Sequence, residues 1–285
     1  MPRPTVEELT GRNSVSYSSL DVFMQCGEKY RLSRIHRVTE EQAYWMVGGT
    51  AFHTASEWFD KGDDRHLSDL WREAWEKEYA NLDLSRPIRS GGRASKAWPN
   101  KEDATWWNVH GPQFLEAYAT WRATSGWEIY TDQGHPFIEY EFTLVLPNPD
   151  KSEDASPEIS AQGFIDRVFV TPDGEVVIVD LKTGSREPAA STQLGIYAAG
   201  LRQRGGVIAN LGAYYMARKG ESPRILSLHH YTDELLAYWL SMFEDSIRSE
   251  RFLPHVTAMC QTCMVAPHCY AVGGRSPYKL PFSND

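Results

Sequence analysis

A strand-turn-strand pattern near the middle of the chain constrains the fold more than any other feature. Thr171-Pro172-Asp173-Gly174 is a strong turn sequence, and runs rich in β-branched residues flank it on both sides. The pattern predicts an antiparallel hairpin within residues 163–184. If the hairpin is symmetric about Asp173, the numbers of paired residues sum to twice 173, so that Asp166 lies opposite Asp180.

The predicted hairpin brings two carboxylates and an amine to one face of the sheet. Side chains alternate along a strand with a period of two, which places Lys182 on the same face as Asp166 and Asp180. Opposed carboxylates repel each other unless a cation lies between them. A divalent ion such as Mg²⁺ prefers carboxylate and phosphate oxygens. The pattern favours a metal site, and the alternative is a hairpin whose charges merely face solvent.

The rest of the chain shows helical periodicity first and strand character later. The spacing predicts helices over residues 16–35, 47–61, 64–82 and 102–123, then 189–204 and 233–250. Ser18 is the expected cap of the first helix, and Cys26 is expected inside it. Strands are predicted over 136–146, 161–170, 175–181, 207–217 and 224–231. This order indicates an α/β core with an added helical region, and the Trp-rich helices are expected to lie in the core.

Length and charge limit how the chain can meet nucleic acid. With 285 residues and 41% hydrophobic content, the chain can bury one substantial core. A net charge of -9 argues against a protein that coats nucleic acid through bulk positive charge. A basic loop over residues 85–101, which contains no acidic residue, is the local surface that could grip a phosphate backbone. The alternative is a solvated loop without function.

Cysteine spacing indicates a second kind of site. The chain has four cysteines, and three of them, Cys260, Cys263 and Cys269, form a C-x2-C-x5-C pattern. In a reducing cytosol such spacing indicates metal ligation rather than disulfides. Zinc bound by these three and His268 would leave out Cys26. The remaining alternative is a set of thiols packed in the core.

The start of the chain and its hydropathy suggest where the protein works. Residues 1–13 are polar and lack the pattern of a signal peptide, and no apolar run approaches the roughly 20 residues that cross a bilayer. The expectation is a soluble cytoplasmic protein without a membrane partner.

Asp166 followed by Asp180-Leu181-Lys182 resembles the D...(D/E)xK signature of the PD-(D/E)xK nuclease superfamily, and the flanking motifs are more narrowly similar to its RecB-like branch. Many members of that branch carry another acidic residue shortly after the first motif, where this chain has Phe169. The similar segments, in the branch's order, are Ser16-Tyr17-Ser18-Ser19-Leu20 with Cys26 and Tyr30, Gly49-Thr50-Ala51-Phe52-His53, Gly163-Phe164-Ile165-Asp166-Arg167, Asp180-Leu181-Lys182-Thr183-Gly184, and Gln193-x3-Tyr197.

The resemblance implies roles for these residues. His53, Asp166, Asp180 and the carbonyl of Leu181 would hold Mg²⁺ or Mn²⁺, and Lys182 would be catalytic. Two further residues one helical turn apart would help to position the lysine and the DNA, and these are Gln193 and Tyr197.

The cysteines narrow the resemblance further. One cysteine in the first helix and three near the C-terminus resemble the CRISPR-associated RecB-like iron-sulfur exonucleases and the AddB nuclease domain. This likeness implies that Cys26, Cys260, Cys263 and Cys269 hold a structural [4Fe-4S] cluster.

The implied fold is a restriction-endonuclease-like α/β core, in which helices flank a mixed central sheet, with an N-terminal helical region and a C-terminal iron-sulfur segment. We expect a single nuclease domain over residues 1–285, divided into N-terminal helices (14–62), a helical insertion (63–130), a catalytic sheet (131–231) and a cysteine-rich tail (232–285).

The implied activity is metal-dependent exonuclease cleavage of single-stranded DNA or DNA ends, in recombination, repair or CRISPR-like DNA processing. Protein partners of a recombination or CRISPR type, and a homo-oligomer, remain open. A noncatalytic DNA-binding or scaffold subunit is one alternative, although an intact Asp166, Asp180 and Lys182 argues against it. An iron-sulfur redox protein is another, but the chain has no nucleotide-binding fingerprint.

Overall fold

The computed structural model describes residues 3–12 and 15–275, which form two compact units. Unit 1 comprises the described residues of 1–41, 143–163 and 231–285, and unit 2 comprises 42–142 and 164–230. None of the described helices is both long enough and apolar enough to cross a membrane.

Five of the six predicted helices are present, with shifted ends. A π-helical turn at Arg31–Ile35 follows the third helix, and short 3-10 turns at Ala258–Thr262, Ala266–His268 and Tyr270–Val272 shape the cysteine-rich tail. The α-helices of the described residues are α1 (Val6–Thr10), α2 (Tyr17–Gln25), α3 (Gly27–Tyr30), α4 (Tyr44–Asp60), α5 (Leu67–Tyr79), α6 (Ala104–Ser125), α7 (Thr192–Gly205) and α8 (Asp233–Arg248).

The main sheet is mixed, as expected. Within it the strand Glu158–Val170 pairs antiparallel with Val176–Lys182. The strand Val176–Lys182 in turn pairs parallel with Leu211–Met216, which pairs antiparallel with Ile225–Ser227. Two small sheets lie apart from it, Gln42–Ala43 with Ile88–Arg89 and Thr131–Asp132 with His135–Pro136. The strands of the main sheet are β1 (Val15–Ser16), β2 (Glu128–Ile129), β3 (Ile138–Pro147), β4 (Glu158–Val170), β5 (Val176–Lys182), β6 (Leu211–Met216) and β7 (Ile225–Ser227).

The register of the β4–β5 hairpin confirms the symmetry that the turn predicted. Arg167 pairs with Val179 and Val170 with Val176, and the numbers of each pair sum to 346. The ladder ends one pair short of Asp166 and Asp180. At that point the Asp166 carboxylate bonds to the backbone of the opposite strand instead: Leu181 N donates to Asp166 Oδ2 over 2.7 Å.

The alternation of side chains along β5 separates core from site. Val177, Val179 and Leu181 belong to a hydrophobic cluster that α4, α5 and α6 complete with buried tryptophans such as Trp71 and Trp107. These tryptophans therefore pack in the core, as predicted. Asp180 and Lys182 are on the opposite face of the strand because side chains alternate with a period of two.

The helix α7 covers that opposite face within unit 2. Every residue from 192 to 201 is buried, so this helix has little solvent face and is specified by packing rather than by amphipathic periodicity. Gly200 permits the closest approach, because a Cβ at this position would lie 2.1 Å from a ring carbon of Phe142. Tyr197 packs edge-on against the same ring, with 5.5 Å between centroids.

The single first helix predicted over residues 16–35 is wrong, because the chain breaks at Cys26. Cys26 has extended backbone angles (φ −169°, ψ 117°) and separates α2 from α3. The backbone of residues 252–253 crosses here: Gly27 N donates to the Leu253 carbonyl over 3.1 Å, and a Cβ on Gly27 would lie 2.9 Å from Leu253 N. The predicted cap is also corrected. Ser16, and not Ser18, caps α2 by accepting a hydrogen bond from Ser19 N.

The connection between β3 and β4 in unit 1 is more ordered than an exposed loop. Asn148 is buried, its side chain donates to the Ser156 carbonyl over 2.9 Å, and its backbone N–H donates to the Pro157 carbonyl over 2.9 Å. These bonds close the loop on itself. Pro149 and Pro157 are compatible with such a turn, but residue types alone do not distinguish a buried asparagine from an exposed one.

Candidate active site and cysteine cavity

The two aspartates of the hairpin are buried in unit 2. Asp166 on β4 is 8% exposed and Asp180 on β5 is 1% exposed. Burial raises the pKa of Asp180, and the negative charge of Asp166 raises it further, while Lys182 acts in the opposite direction. Two carboxylates held this close without solvent disfavour a fully ionised state unless positive charge is supplied.

Lys182 supplies part of that charge and is itself positioned from α7. Its Nζ lies 2.6 Å from Asp180 Oδ2 and donates to Gln193 Oε1 over 3.0 Å. Gln193 Nε2 then donates to the hydroxyl of Tyr197 over 2.8 Å. Because Gln193 and Tyr197 are four residues apart on a helix, one helical face presents both groups. The structure thus joins all the residues that the hairpin and the QxxxY motif contributed.

The Asp180 carboxylate nevertheless retains binding capacity. Its buried Oδ2 receives no hydrogen bond of good geometry from the described residues, although the Lys182 ammonium is near. The Lys182 ammonium balances the charge of this oxygen, but the Asp166 carboxylate adds a second negative charge that one ammonium does not neutralise. The donor set at this position therefore fits a hard divalent cation.

His53 reaches the same carboxylates from α4. Its Nδ1 lies 3.5 Å from Asp166 Oδ2, and its side chain is 33% exposed. Glu57, one turn further along the helix, pairs instead with Lys61 Nζ at 2.5 Å. The imidazole is therefore close enough to the Asp166 carboxylate for one cation to contact both groups, whereas Glu57 is paired with Lys61.

Glu139 is a further site residue that the motifs did not indicate. One ligand atom from each of His53, Glu139 and Asp166 lies within 4.8 Å of the other two. Burial raises the pKa of Glu139 to about 7, and the charge of Asp166 contributes to this rise. The Glu139 backbone has φ 48°, a left-handed conformation that is uncommon outside glycine and is often found where function requires it.

The sequence contained only a weak signal for Glu139. Glu139 and Glu141 both lie on β3 and are two residues apart, so that alternation alone would treat them alike. The structure separates them, because Glu139 is partly buried beside Asp166 while Glu141 is exposed. The left-handed backbone at Glu139 breaks the regular alternation and cannot be read from residue types.

The fully buried guanidinium of Arg167 bonds to both Glu139 and Asp166. Arg167 Nε donates to Asp60 Oδ2 over 2.6 Å, and its Nη1 donates to Glu139 Oε1 over 3.1 Å and to the Asp166 carbonyl over 2.6 Å. Its Nη2 donates to Ser56 Oγ over 3.2 Å. Arg167 therefore connects α4, β3 and β4 at the cluster of His53, Glu139 and Asp166. The sequence identified Arg167 only as part of a motif and did not identify Asp60.

Asp60 completes this network on the helix that carries His53. Its carboxylate also accepts hydrogen bonds from the Tyr118 hydroxyl at 2.6 Å and from Arg122 Nε at 3.0 Å. The aspartate is thus surrounded by two guanidinium groups and a phenol. Such complete pairing is what allows a buried charge to persist.

Comparison with known proteins agrees with this geometry. The profile of the PD-(D/E)XK nuclease superfamily matches residues 14–270. The chain belongs to the PD-(D/E)XK nuclease superfamily. This nuclease is 30% identical to the Gene 69 protein of Mycobacterium phage D29, over 89% of this chain and 95% of that protein. It is 29% identical to the Gene 69 protein of Mycobacterium phage L5, over 76% of this chain and 81% of that protein.

Two solved structures resemble the nuclease at low identity. One is SSO0001, with 12% identity, a TM-score of 0.35, and coverage of 90% of this chain and 96% of that one. The other is a candidate exonuclease from Eubacterium rectale, with 11% identity, a TM-score of 0.46, and coverage of 88% and 86% respectively.

The four cysteines of the nuclease line one cavity of unit 1. The cavity measures about 550 Å³, and Cys26, Cys260, Cys263 and Cys269 all contribute to its wall. None of these four described cysteines forms a disulfide. His268 is not among the described residues that line the cavity, whereas His255 is.

Local contacts orient two of these sulfurs. Cys26 Sγ accepts a hydrogen bond from His255 N over 3.3 Å, and Cys260 Sγ accepts one from Thr257 N over 3.5 Å. Cys263 and Cys269 pack at the edge of a small apolar cluster of Leu32, Val38 and Val265. The break after α2 thus turns Cys26 out of the helix and towards the tail.

The predicted basic loop is only partly free. Gly91 forms a β-bridge with Glu102, and Trp98 packs against the core and edge-on against His110 at 5.3 Å. Arg93 and Lys96, between these points, are exposed. The loop is thus anchored at both ends, and its basic side chains remain a predicted DNA contact.

Proposed function

We propose that the chain is a divalent-metal-dependent deoxyribonuclease of the RecB-like branch. It would act as an exonuclease on single-stranded DNA or DNA ends, in recombination, repair or CRISPR-like DNA processing. The observation that carries the proposal is the convergence of the Asp166 and Asp180 carboxylates with the Lys182 ammonium, 2.6 Å from Asp180.

The residues proposed to hold Mg²⁺ or Mn²⁺ are His53, Asp166, Asp180 and the carbonyl of Leu181, and we add Glu139 to them. Support comes from the mutual distances of His53, Glu139 and Asp166, and from the repulsion between the buried carboxylates of Asp166 and Asp180. When bound there, a divalent cation would polarise the scissile phosphate and lower the pKa of a water molecule.

Lys182 is proposed as the catalytic cation of the protein itself. Hydrolysis needs a water oxygen to bond to phosphorus while a phosphorus–oxygen ester bond breaks, and negative charge grows on the phosphate oxygens. An ammonium beside the carboxylates can stabilise that charge and orient the water. Gln193 holds the ammonium at 3.0 Å, and Tyr197 in turn holds the Gln193 amide at 2.8 Å. Both are therefore proposed as positioning residues.

The cysteine cavity is proposed to hold a structural [4Fe-4S] cluster. A tetrahedral zinc site with bonds near 2.3 Å requires sulfur atoms about 3.8 Å apart. Among residues 3–12 and 15–275, the cysteine sulfurs form no group of three within 4.8 Å of one another. A larger cluster with one thiolate on each iron suits four thiols spread around one cavity. Cys26 would then join the start of unit 1 to its tail.

The decisive experiment is incubation of end-labelled DNA with the purified protein in Mg²⁺, Mn²⁺ or EDTA. Linear single strands, linear duplexes and circular single strands should be compared, because an exonuclease degrades linear DNA and spares circles. Asp180→Asn should abolish cleavage, while Asp173→Asn, which removes the same charge from the exposed turn, should not. Cleavage by Asp180→Asn at the wild-type rate would refute the proposed site. Cleavage of circles would replace the exonuclease with an endonuclease.

A further inference from the structure

A cavity in unit 1 shares no residue with the active site or the cysteine cavity. It measures about 370 Å³, and three arginines, Arg12, Arg34 and Arg37, contribute to its wall. The described residues that line it include neither aspartate nor glutamate. In a chain with a net charge of -9, three guanidinium groups around one cavity form a local reversal of charge.

These guanidinium groups keep donors available. Arg37 uses Nη2 for a 2.7 Å bond to the Thr10 carbonyl, and its backbone has φ 50°, a left-handed conformation that sets the direction of the side chain. Arg34 Nη1 is 3.9 Å from Glu40, and both side chains are more than one-third exposed, so the pair is weak. Because each guanidinium carries five N–H donors, these contacts leave several for a ligand.

A buried tyrosine contributes to the same wall. Tyr30 lines the cavity and is 2% exposed, and its hydroxyl has no hydrogen-bond partner among the described residues. Its ring is fixed edge-on by Phe23 and Phe243, with centroid distances of 5.7 and 5.4 Å. The charges of Arg34 and Arg12 act on the phenol, yet burial dominates and raises the pKa of Tyr30 to about 12. The hydroxyl therefore remains a donor at neutral pH.

We propose that this cavity, the arginine pocket of Arg12, Arg34, Arg37 and Tyr30, binds a phosphate group of a DNA strand. The inference rests on the proposed nuclease function for the choice of DNA. Planar guanidinium forks match phosphate oxygens in a bidentate manner, and a neutral phenol adds a donor. The lining offers several guanidinium donors and a phenol but no carboxylate among its described residues, and this chemistry favours an anion. An internal phosphodiester and a terminal phosphate offer the same chemistry.

The test is the affinity of the full-length protein for a 3′-labelled single-stranded oligonucleotide, measured by fluorescence anisotropy in EDTA. Arg12→Gln/Arg34→Gln should weaken binding about tenfold, as removal of a charge-assisted hydrogen bond to phosphate does. The slope of log K against log salt should become shallower by about 0.7 for each phosphate that the double variant no longer neutralises. Arg251→Gln removes an exposed arginine of the same unit, and it should change neither the DNA affinity nor the salt slope.

Tyr30→Phe is a second variant that keeps the ring contacts and removes only the hydroxyl. It should weaken binding about threefold or more without lowering the melting temperature. It therefore tests the pocket even if the double variant folds poorly. Unchanged affinity in Tyr30→Phe together with a double variant that matches Arg251→Gln, or does not fold, would overturn the proposal.

Two arms separate the sources of the phosphate. If 5′-phosphorylated DNA binds more tightly than 5′-hydroxyl DNA, and inorganic phosphate competes, the pocket takes a terminal phosphate. If the two DNAs bind with equal affinity, and both affinities fall in the double variant, the pocket takes an internal phosphodiester. Arginine-dependent binding by a protein that shows no metal-dependent cleavage would refute the nuclease and keep the pocket. Normal cleavage with binding that is independent of the arginines and Tyr30 would refute the pocket alone.

Discussion

Glu139→Gln should stabilise the metal-free protein at pH 8 and weaken its affinity for metal. The pKa of Glu139 is raised from 4.5 to about 7, so the folded state disfavours the carboxylate. A rise of this size corresponds to at most about 3 kcal/mol at pH 8, since one pKa unit is about 1.4 kcal/mol. The side chain is 28% exposed and partly screened by solvent, which reduces our expectation to about 2 kcal/mol. For a chain of this size that is a rise of about 4 to 8 °C in melting temperature.

The raised pKa of Glu139 also predicts how the stability gain of Glu139→Gln varies with pH. Because the folded pKa is raised, the destabilisation by Glu139 is fully present above pH 7 and shrinks as the pH falls from about 7 to 4.5. The gain in Glu139→Gln should therefore be largest at pH 8 and almost absent near pH 4.5. Urea unfolding in EDTA at several pH values measures it, and Mn²⁺ titration calorimetry measures the loss of affinity.

Glu141→Gln is the matched control, because it removes the same charge from an exposed position on the same strand. It should leave both stability and Mn²⁺ affinity near the wild-type values. A Glu139→Gln protein that is no more stable than Glu141→Gln at pH 8, or one whose gain does not vary with pH, would refute the account of a repelled, partly buried carboxylate.

Three further outcomes are expected. Lys182→Ala should abolish cleavage but leave Mn²⁺ binding measurable by calorimetry. Lys219→Ala, the control at an exposed position, should cleave normally. Cleavage by Lys182→Ala would refute the catalytic role of Lys182. His53→Ala should lose part of its activity and recover more with Mn²⁺ than with Mg²⁺, because imidazole suits Mn²⁺ better, and failure of excess Mn²⁺ to rescue would argue against ligation. Cys26→Ser should lose the broad absorption near 400 nm that an iron-sulfur cluster gives, together with bound iron, and should melt at a lower temperature; a coloured variant of full stability would exclude Cys26 as a ligand.

The hairpin was predictable because its determinants are local. The turn at residues 171–174 fixes the register, and the register fixes which side chains share a face. The pattern therefore places Asp180 beside Lys182, and their 2.6 Å contact follows from a spacing of two along one strand. The relation of Gln193 to Tyr197 is local in the same sense, since it depends on one helical turn.

The remainder of the site depends on contacts between segments distant in sequence. Arg167 bonds to Asp60 and to Glu139, which lie 107 and 28 residues away along the chain. No periodicity connects such positions, and a buried arginine resembles an exposed one in sequence. The left-handed backbone at Glu139 is likewise a result of tertiary packing. Motif comparison located Arg167 without indicating what it holds.

The break at Cys26 shows a local preference overruled by tertiary contact. Residues 16–35 carry a helical pattern, and α2 and α3 occupy most of it. The pattern gives no sign of the crossing backbone at Leu253, which leaves no room for a Cβ on Gly27. Packing in unit 1 therefore decides where the helix ends, and as a result the Cys26 sulfur faces the cavity.

Two contacts of Lys182 explain how one amine could serve the proposed site with and without a bound cation. In the protein alone, the ammonium balances the buried Asp180 at 2.6 Å. If Asp180 also bound a divalent cation, as proposed, the ammonium would lose part of this contact. The ammonium would still be held by Gln193 Oε1 at 3.0 Å, because Gln193 is fixed in turn by Tyr197. Under the proposed nuclease function, the amine would thus remain beside the reacting phosphate, and the buried glutamine and tyrosine on α7 would keep it there.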